Sequence, residues 1–136
     1  MMTYRVEDRR DMDPATKAKL RAAGVRSTKA LVECCSTHSS RAALSRRTAI
    51  PESTLLKLAN LADLRRVAGI RAEYSDLLET AGVQSVAQLA SRDACNFALT
   101  LAMANATKGF HLRLPTTMTV SRWIERARSS SRVIED

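Results

Sequence analysis

Aromatic side chains are scarce in this chain: Phe, Tyr and Trp make up 4% of its 136 residues. Its core must therefore be packed from Leu, Ala, Val and Met, and one Trp is no stacking platform for nucleic-acid bases. Four Gly and three Pro leave few breakers, which favours helices over a turn-rich β fold. No run of about 18 apolar residues occurs, so no transmembrane helix and no membrane partner are expected. The opening stretch "MMTYRVEDRRDMD" is charged and has no apolar segment, which argues against a secretory leader and for a cytoplasmic location. The two histidines, His38 and His111, are far apart in sequence. No paired carboxylates stand at a defined spacing and no Gly-rich nucleotide loop is present, so the chain reads as a non-enzyme without a cofactor. The three cysteines form an odd set. "CCSTH" offers Cys34, Cys35 and His38 as metal ligands, but zinc sites want paired spacings and there is no second pair. Reduced, metal-free thiols used as small packing residues are the expectation.

What is abundant is positive charge. The formal net charge is +8 with a pI near 10.1. Residues 1–70 hold 14 Lys+Arg against 7 Asp+Glu, and residues 71–136 hold 8 against 7, so the first half carries +7 and the second +1. A basic half suits a polyanionic partner, while a solvated face that aids solubility is the plainer use of the same residues.

The chain also echoes itself. "LRAAGVRSTKAL", residues 20–31, aligns with "LETAGVQSVAQL", residues 78–89, at an offset of 58 with six of twelve positions identical. Each copy reads as a helix ended by Gly24 or Gly82, a buried Val, a capping Ser27 or Ser85, and a second helix anchored by Leu31 or Leu89. "IPESTLLKLANLADL" from Ile50 and "LPTTMTVSRWIERA" from Leu114 echo at an offset of 64, placing about six extra residues near "NATKGFHLRLP". Pro follows an apolar residue in both, at a first helical turn that tolerates it. The helices expected are 14–23 (capped by Asp13), 28–35, 38–47, 51–64, 71–81, 86–91, 93–104 and 117–129. Residues 51–64 are apolar around a strip of Lys57, Asn60 and Asp63, so this helix should lie between the two halves. Val120, Trp123, Ile124 and Ala127 share one face and mark Trp123 as core. The fold expected is all-α: two pseudo-repeated units, about 10–66 and 67–129, packed on one shared core, with 130–136 as a fraying tail.

"NLADLRRVAGIRAEYSDLLETAGVQSVAQLASRD", followed by "RLP" and "WIERA", resembles the bacterial family called domain of unknown function 4332, from about Arg10 to Arg128. The resemblance implies an all-helical tandem of helix-hairpin-helix-like units and no established reaction. Members often carry Gly-Ile/Val-Gly before the Tyr; this chain has Gly69-Ile70-Arg71.

In a phosphate-gripping hairpin, small residues let backbone N–H groups approach the phosphate. Arg71 obstructs that approach and supplies a cation instead. In the first copy, the offset of 58 places Asp11-Met12-Asp13 at this position, where two carboxylates suit helix capping and would repel phosphate. The candidate nucleic-acid contacts are Arg41, Arg46, Arg47, Arg65, Arg66 and Arg71, with Gly69 and Ile70 shaping the turn. Glu73, Asp76 and Glu79 must then face away from the phosphates. The function expected is a binding module that contacts nucleic-acid backbone without reading sequence. The alternative is an adaptor whose helical units engage an acidic protein.

Overall fold

A computed structural model describes residues 12–130 and 133–135, the side chain of Ala72 excepted. Among the described residues there are eight α-helices, one 3-10 turn and no strand. The helices are α1 (Pro14–Ala22), α2 (Thr28–Cys34), α3 (His38–Thr48), α4 (Glu52–Ala68), α5 (Ser75–Thr80), α6 (Val86–Ala90), α7 (Ala94–Lys108) and α8 (Thr117–Ser129), with the 3-10 turn Ala72–Tyr74 leading into α5.

Local chemistry fixes most of these boundaries. Asp13 caps α1 by accepting from the Thr16 amide at 2.7 Å, with Pro14 at the first helical position. That bond to the Thr16 amide holds the Asp13 carboxyl below its usual pKa. Asp11 lies outside the described residues. Thr37 and Ser40 close a reciprocal capping box on α3. The two Gly turns carry the same hydrogen bonds at matched positions. The Val25 amide donates to the Leu20 carbonyl at 2.9 Å, and Val83 to Leu78 at 2.8 Å. Gly24 (φ 86°) and Gly82 (φ 91°) both occupy the left-handed region. Ser27 accepts from the Ala30 amide at 3.1 Å and Ser85 from Gln88 at 3.2 Å, capping α2 and α6.

The extra length of the second half has two sources. Helix α7 has 15 residues where α3 has 11. A loop of residues 109–116 then precedes α8, against residues 49–51 before α4. Asn105 pins that loop, donating to the Leu112 carbonyl at 3.0 Å and accepting from its amide at 3.1 Å.

The expectation of one shared core is corrected. The buried apolar residues fall into two clusters, and α4 feeds both. Leu55, Leu58, Ala59 and Ala62 pack with Leu20, Val25, Leu31, Leu44 and Ile50 of the first half. Leu64 and Ala68, on the opposite face of the helix, pack with Leu77, Leu89, Phe97, Leu101, Val120 and Trp123 of the second. A helix apolar nearly all round can serve two cores from its two faces. The expected boundary at residue 66 falls within its last turn. Trp123 is core as read, 7% exposed, its ring 6.0 Å from that of Tyr74.

The expectation of a fraying tail is also corrected for the residues described. Ile134 is 4% exposed and belongs to the first-half cluster, although α8 belongs to the second. The Glu135 amide donates to the Ser36 carbonyl at 2.7 Å. Residues 133–135 thus dock beside the α2–α3 turn.

Candidate nucleic-acid interface

The arginines sort by what they touch. A short helix leaves its last carbonyls without partners inside the helix, and this fold has many short helices. Arginine side chains fill several of those ends. Arg47 donates to the Ala23 carbonyl at 3.0 Å, at the end of α1. Arg41 donates to Cys35 at 2.8 Å, at the end of α2. Arg126 donates to Ala68 at 3.2 Å, closing α4. Arg92 donates to Gly82 at 3.0 Å, just after α5. Arg128 donates to Ala90 at 2.9 Å and to Arg92 at 3.1 Å, past α6. A guanidinium suits this work because its planar fork presents several donors and its charge favours the negative end of a helix.

Arg41 is removed from the list of nucleic-acid contacts by this arrangement. It is 2% exposed and faces inward with Leu44 and Thr48, three and seven residues on. Its Nη1 also donates to the Glu135 carbonyl, so it clasps the returning tail to the α2 end. Nothing in solution can reach it.

The second hairpin does not assemble a phosphate cradle. Gly69 is left-handed and exposed, but the Arg126 guanidinium lies over it, 3.1 Å from where a Cβ would stand. The chain's own side chain occupies the close approach a phosphate would need. Ile70 is 3% exposed and anchors the turn in the core. Arg66 is paired with the Asp63 carboxylate, itself 5% exposed. Arg65 is half-buried. Arg71 is well exposed, yet Glu73 lies 3.8 Å away. The requirement that Glu73 face away is therefore not met. Glu79 is engaged with Lys57 at 2.7 Å.

The first half is different. The turn Gly24-Val25-Arg26 repeats the pattern of Gly69-Ile70-Arg71: a left-handed Gly, a buried apolar residue, then an exposed Arg. Sequence reasoning missed Arg26 because it carried the offset of 58 across from Arg71 to Asp13. The signal was present, since "GVR" and "GIR" are the same short pattern. Arg47, bonded to Ala23, brings the end of α3 against this turn, and Arg46 beside it is exposed. Lys29 is exposed in the first turn of α2. Among the described residues, no ion pair engages Arg26, Lys29 or Arg46. Residues 14–50 hold eight Lys+Arg and the single carboxylate Glu33. Residues 51–136 hold eleven against nine.

The remaining chemistry is engaged or buried. Burial pushes the Cys35 thiol up to about 12, with Cys34 beside it adding to the shift. Such a thiol is neither a nucleophile nor a ready metal ligand near neutral pH. Among the described residues no three His, Cys, Asp or Glu side chains converge as a metal site. A cavity of about 300 Å³ lies between α4, α6, α8 and the returning tail, lined by Asn60, Asp63, Val86, Arg128 and Ile134 among others. Its charged groups are already taken, Asp63 by Arg66 and Arg128 by the α6 carbonyls. No helix among the described residues is long and apolar enough to cross a membrane.

The fold defines an all-α protein of eight helices, most of them capped by a side chain. The chain belongs to the family Domain of unknown function (DUF4332), whose model matches residues 10–130. No curated protein and no solved structure matches it.

Proposed function

We propose that the protein is a cytoplasmic, non-enzymatic module that binds nucleic acid through backbone phosphates, using the basic face of α1–α3. The observation that carries this reading is the charge of residues 14–50, seven Lys+Arg besides the buried Arg41 against one carboxylate, in a fold whose other half is nearly balanced. The contacts are Arg26, Lys29, Arg46 and Arg47, which surround the Gly24 turn. Arg47 reaches a phosphate only while keeping its bond to Ala23, so it contributes least. Among the described residues no aromatic platform and no long recognition helix lies on this face, so binding carries no sequence information.

Three or four neutralised phosphates release their counterions, which sets a slope of log K against log salt of roughly −3 to −4 on duplex DNA. Fluorescence anisotropy on labelled duplex and single strands across a salt series measures it. Arg26, Lys29 and Arg46 changed together to Ala should abolish most binding and flatten the slope. Arg71→Ala should change neither by more than one contact's share. Equal loss from both variants returns the interface to the second hairpin. No binding of either strand form at low salt ends the nucleic-acid reading and leaves an acidic protein as the partner of the same face.

A further inference from the structure

The near balance of charge in residues 51–136 is a sum of unlike stretches. Residues 51–93 hold five Lys+Arg against six Asp+Glu, and residues 125–136 hold three against three. Between them, residues 94–124 hold Lys108, Arg113 and Arg122 and no carboxylate. These three residues are exposed, as is His111, and among the described residues no ion pair engages any of the four. The loop of residues 109–116 is built to hold them. Phe110 and Leu112 pack against the second core, and His111 and Arg113, alternating with them, stand in solvent. Asn105 bonds both the amide and the carbonyl of Leu112, and the Tyr74 hydroxyl donates to the Arg113 carbonyl at 2.6 Å. His111 sits at φ 55°, in the left-handed region that a residue with a Cβ seldom occupies. A backbone held there by its surroundings is a recurrent feature of binding loops. Lys108 ends α7 at the entry to the loop. Arg122 lies over the first turn of α8, its Nη2 3.8 Å from the Met118 sulfur, and so flanks the exit.

We infer that this loop and its flanks form a second phosphate-binding patch, so that one chain holds two nucleic-acid segments at once. The inference rests on the nucleic-acid reading of the α1–α3 face and adds bridging to it. The two patches belong to separate halves of the fold. Helices α1–α3 pack around the first cluster, α7 and α8 around the second, and α4 joins them. The segment that links them in sequence, residues 51–93, has more carboxylates than cations. Its exposed Arg71 has Glu73 beside it, so it adds little to either patch. Phosphates are the ligand that such a loop fits, because unpaired cations on a fixed backbone replace their counterions without reading sequence. With three cations, the loop is the weaker patch. Joining two patches through one rigid helix raises the affinity for any nucleic acid that can reach both, with no new contact.

The test mixes the full chain at low salt with short duplexes, half of them donor-labelled and half acceptor-labelled, and reads energy transfer between them. The expected result is transfer with the unaltered chain and its loss when Lys108, Arg113 and Arg122 are changed together to Ala. Circular dichroism of that variant should be unchanged, because the three side chains are exposed and Tyr74 bonds only the backbone of Arg113. Its affinity for a single duplex, read by anisotropy, should stay within about twofold, since the stronger patch remains. Transfer that persists in the variant overturns the inference. So does a large loss of single-duplex affinity, which would make the two patches one site. Binding without transfer in the unaltered chain removes the second patch and leaves the proposed function standing, whereas no binding at all removes both. Vesicles of anionic lipid complete the set, because Leu114 and Met118 are exposed beside Arg113 and Arg122. Vesicle binding that the triple variant loses, with no duplex transfer in the unaltered chain, assigns the loop to a lipid surface and overturns the inference.

Discussion

Replacing Arg41 with Ala removes a clasp rather than a ligand contact. Two hydrogen bonds from a charged donor are lost, to Cys35 and to Glu135. Each contributes about 1.5–3 kcal/mol. Without its bond to Glu135 the returning segment is held mainly by the Glu135 amide and by Ile134, whose withdrawal from the core would cost a further ~1.5–3 kcal/mol. Against these stands the desolvation of the guanidinium, which is partly uncompensated because Nη2 has no hydrogen-bond partner among the described residues. The balance is a destabilisation of about 3 kcal/mol, at the upper end of single-residue effects. With a urea slope near 2 kcal/mol/M, the unfolding midpoint should fall by about 1.5 M. Hydrogen exchange supplies the local readout, since the Glu135 amide should lose protection at conditions where the α4 amides keep theirs. Truncation after Ser130 should cost a similar amount, and the two changes together should cost less than their sum, because both release the same contact. An unchanged midpoint, or a Glu135 amide equally protected in the variant, refutes the clasp. Nucleic-acid affinity of the folded variant should not change, which separates this role from the one the sequence suggested.

Gly82→Ala and Gly24→Ala both force a left-handed residue, at about 1 kcal/mol each, but only at Gly82 does the new Cβ meet a side chain, Arg92 Nη2 at 2.8 Å. Gly82→Ala should be the worse by about another 1 kcal/mol as the Arg92 bond is lost, and equal thermal shifts would count against that contact. Ser27→Ala and Ser85→Ala should each cost ~1 kcal/mol in denaturant titrations, as matched helix caps would, and a clear inequality would show the two turns to be energetically unrelated. In folded protein a maleimide should label Cys95 quickly and Cys35 only on unfolding. Because the folded Cys35 pKa is raised above its unfolded value of 9.0, its contribution to stability is complete below pH 9 and declines as pH rises towards about 12. Cys35→Ala should weaken that alkaline decline, and a decline of the same steepness in the variant would place its cause elsewhere.

The helices were legible because their signals are local. Asp13, Ser27, Thr37 and Ser85 each sit where a side-chain oxygen meets an amide three residues on, and Gly24 and Gly82 sit where the chain must turn left-handed. What the sequence hid was long-range. In "SSSRVIED" one buried residue, Ile134, makes the difference between a loose end and a docked one, and no periodicity announces a partner a hundred residues earlier. Arg41 was misplaced by its type, since charged side chains are seldom fully buried. Its position could have corrected that, because Arg41, Leu44 and Thr48 share one face of α3. The divided core was hidden for a related reason: α4 is apolar nearly all round, and that pattern does not say which face packs on which half.

The basic composition is partly a consequence of the architecture. A fold made of short helices has a high density of helix ends, and each end leaves carbonyls that need donors. Here Arg41, Arg47, Arg92, Arg126 and Arg128 supply donors at the ends of five helices. Their charge counts in the pI, but their guanidinium groups are already committed. A pI near 10.1 thus overstates the charge free to bind a polyanion, and it does so most in the second half, where Arg66 and Arg71 also have carboxylates beside them. The first half is discounted less: Arg41 and Arg47 are committed there, but residues 14–50 hold one carboxylate and Arg26, Lys29 and Arg46 stay in solvent. Total charge makes the sides of the molecule look alike in kind and different only in amount. Hydrogen bonding separates them: the arginines that finish the fold are spent, and Arg26, Lys29 and Arg46 remain for a partner.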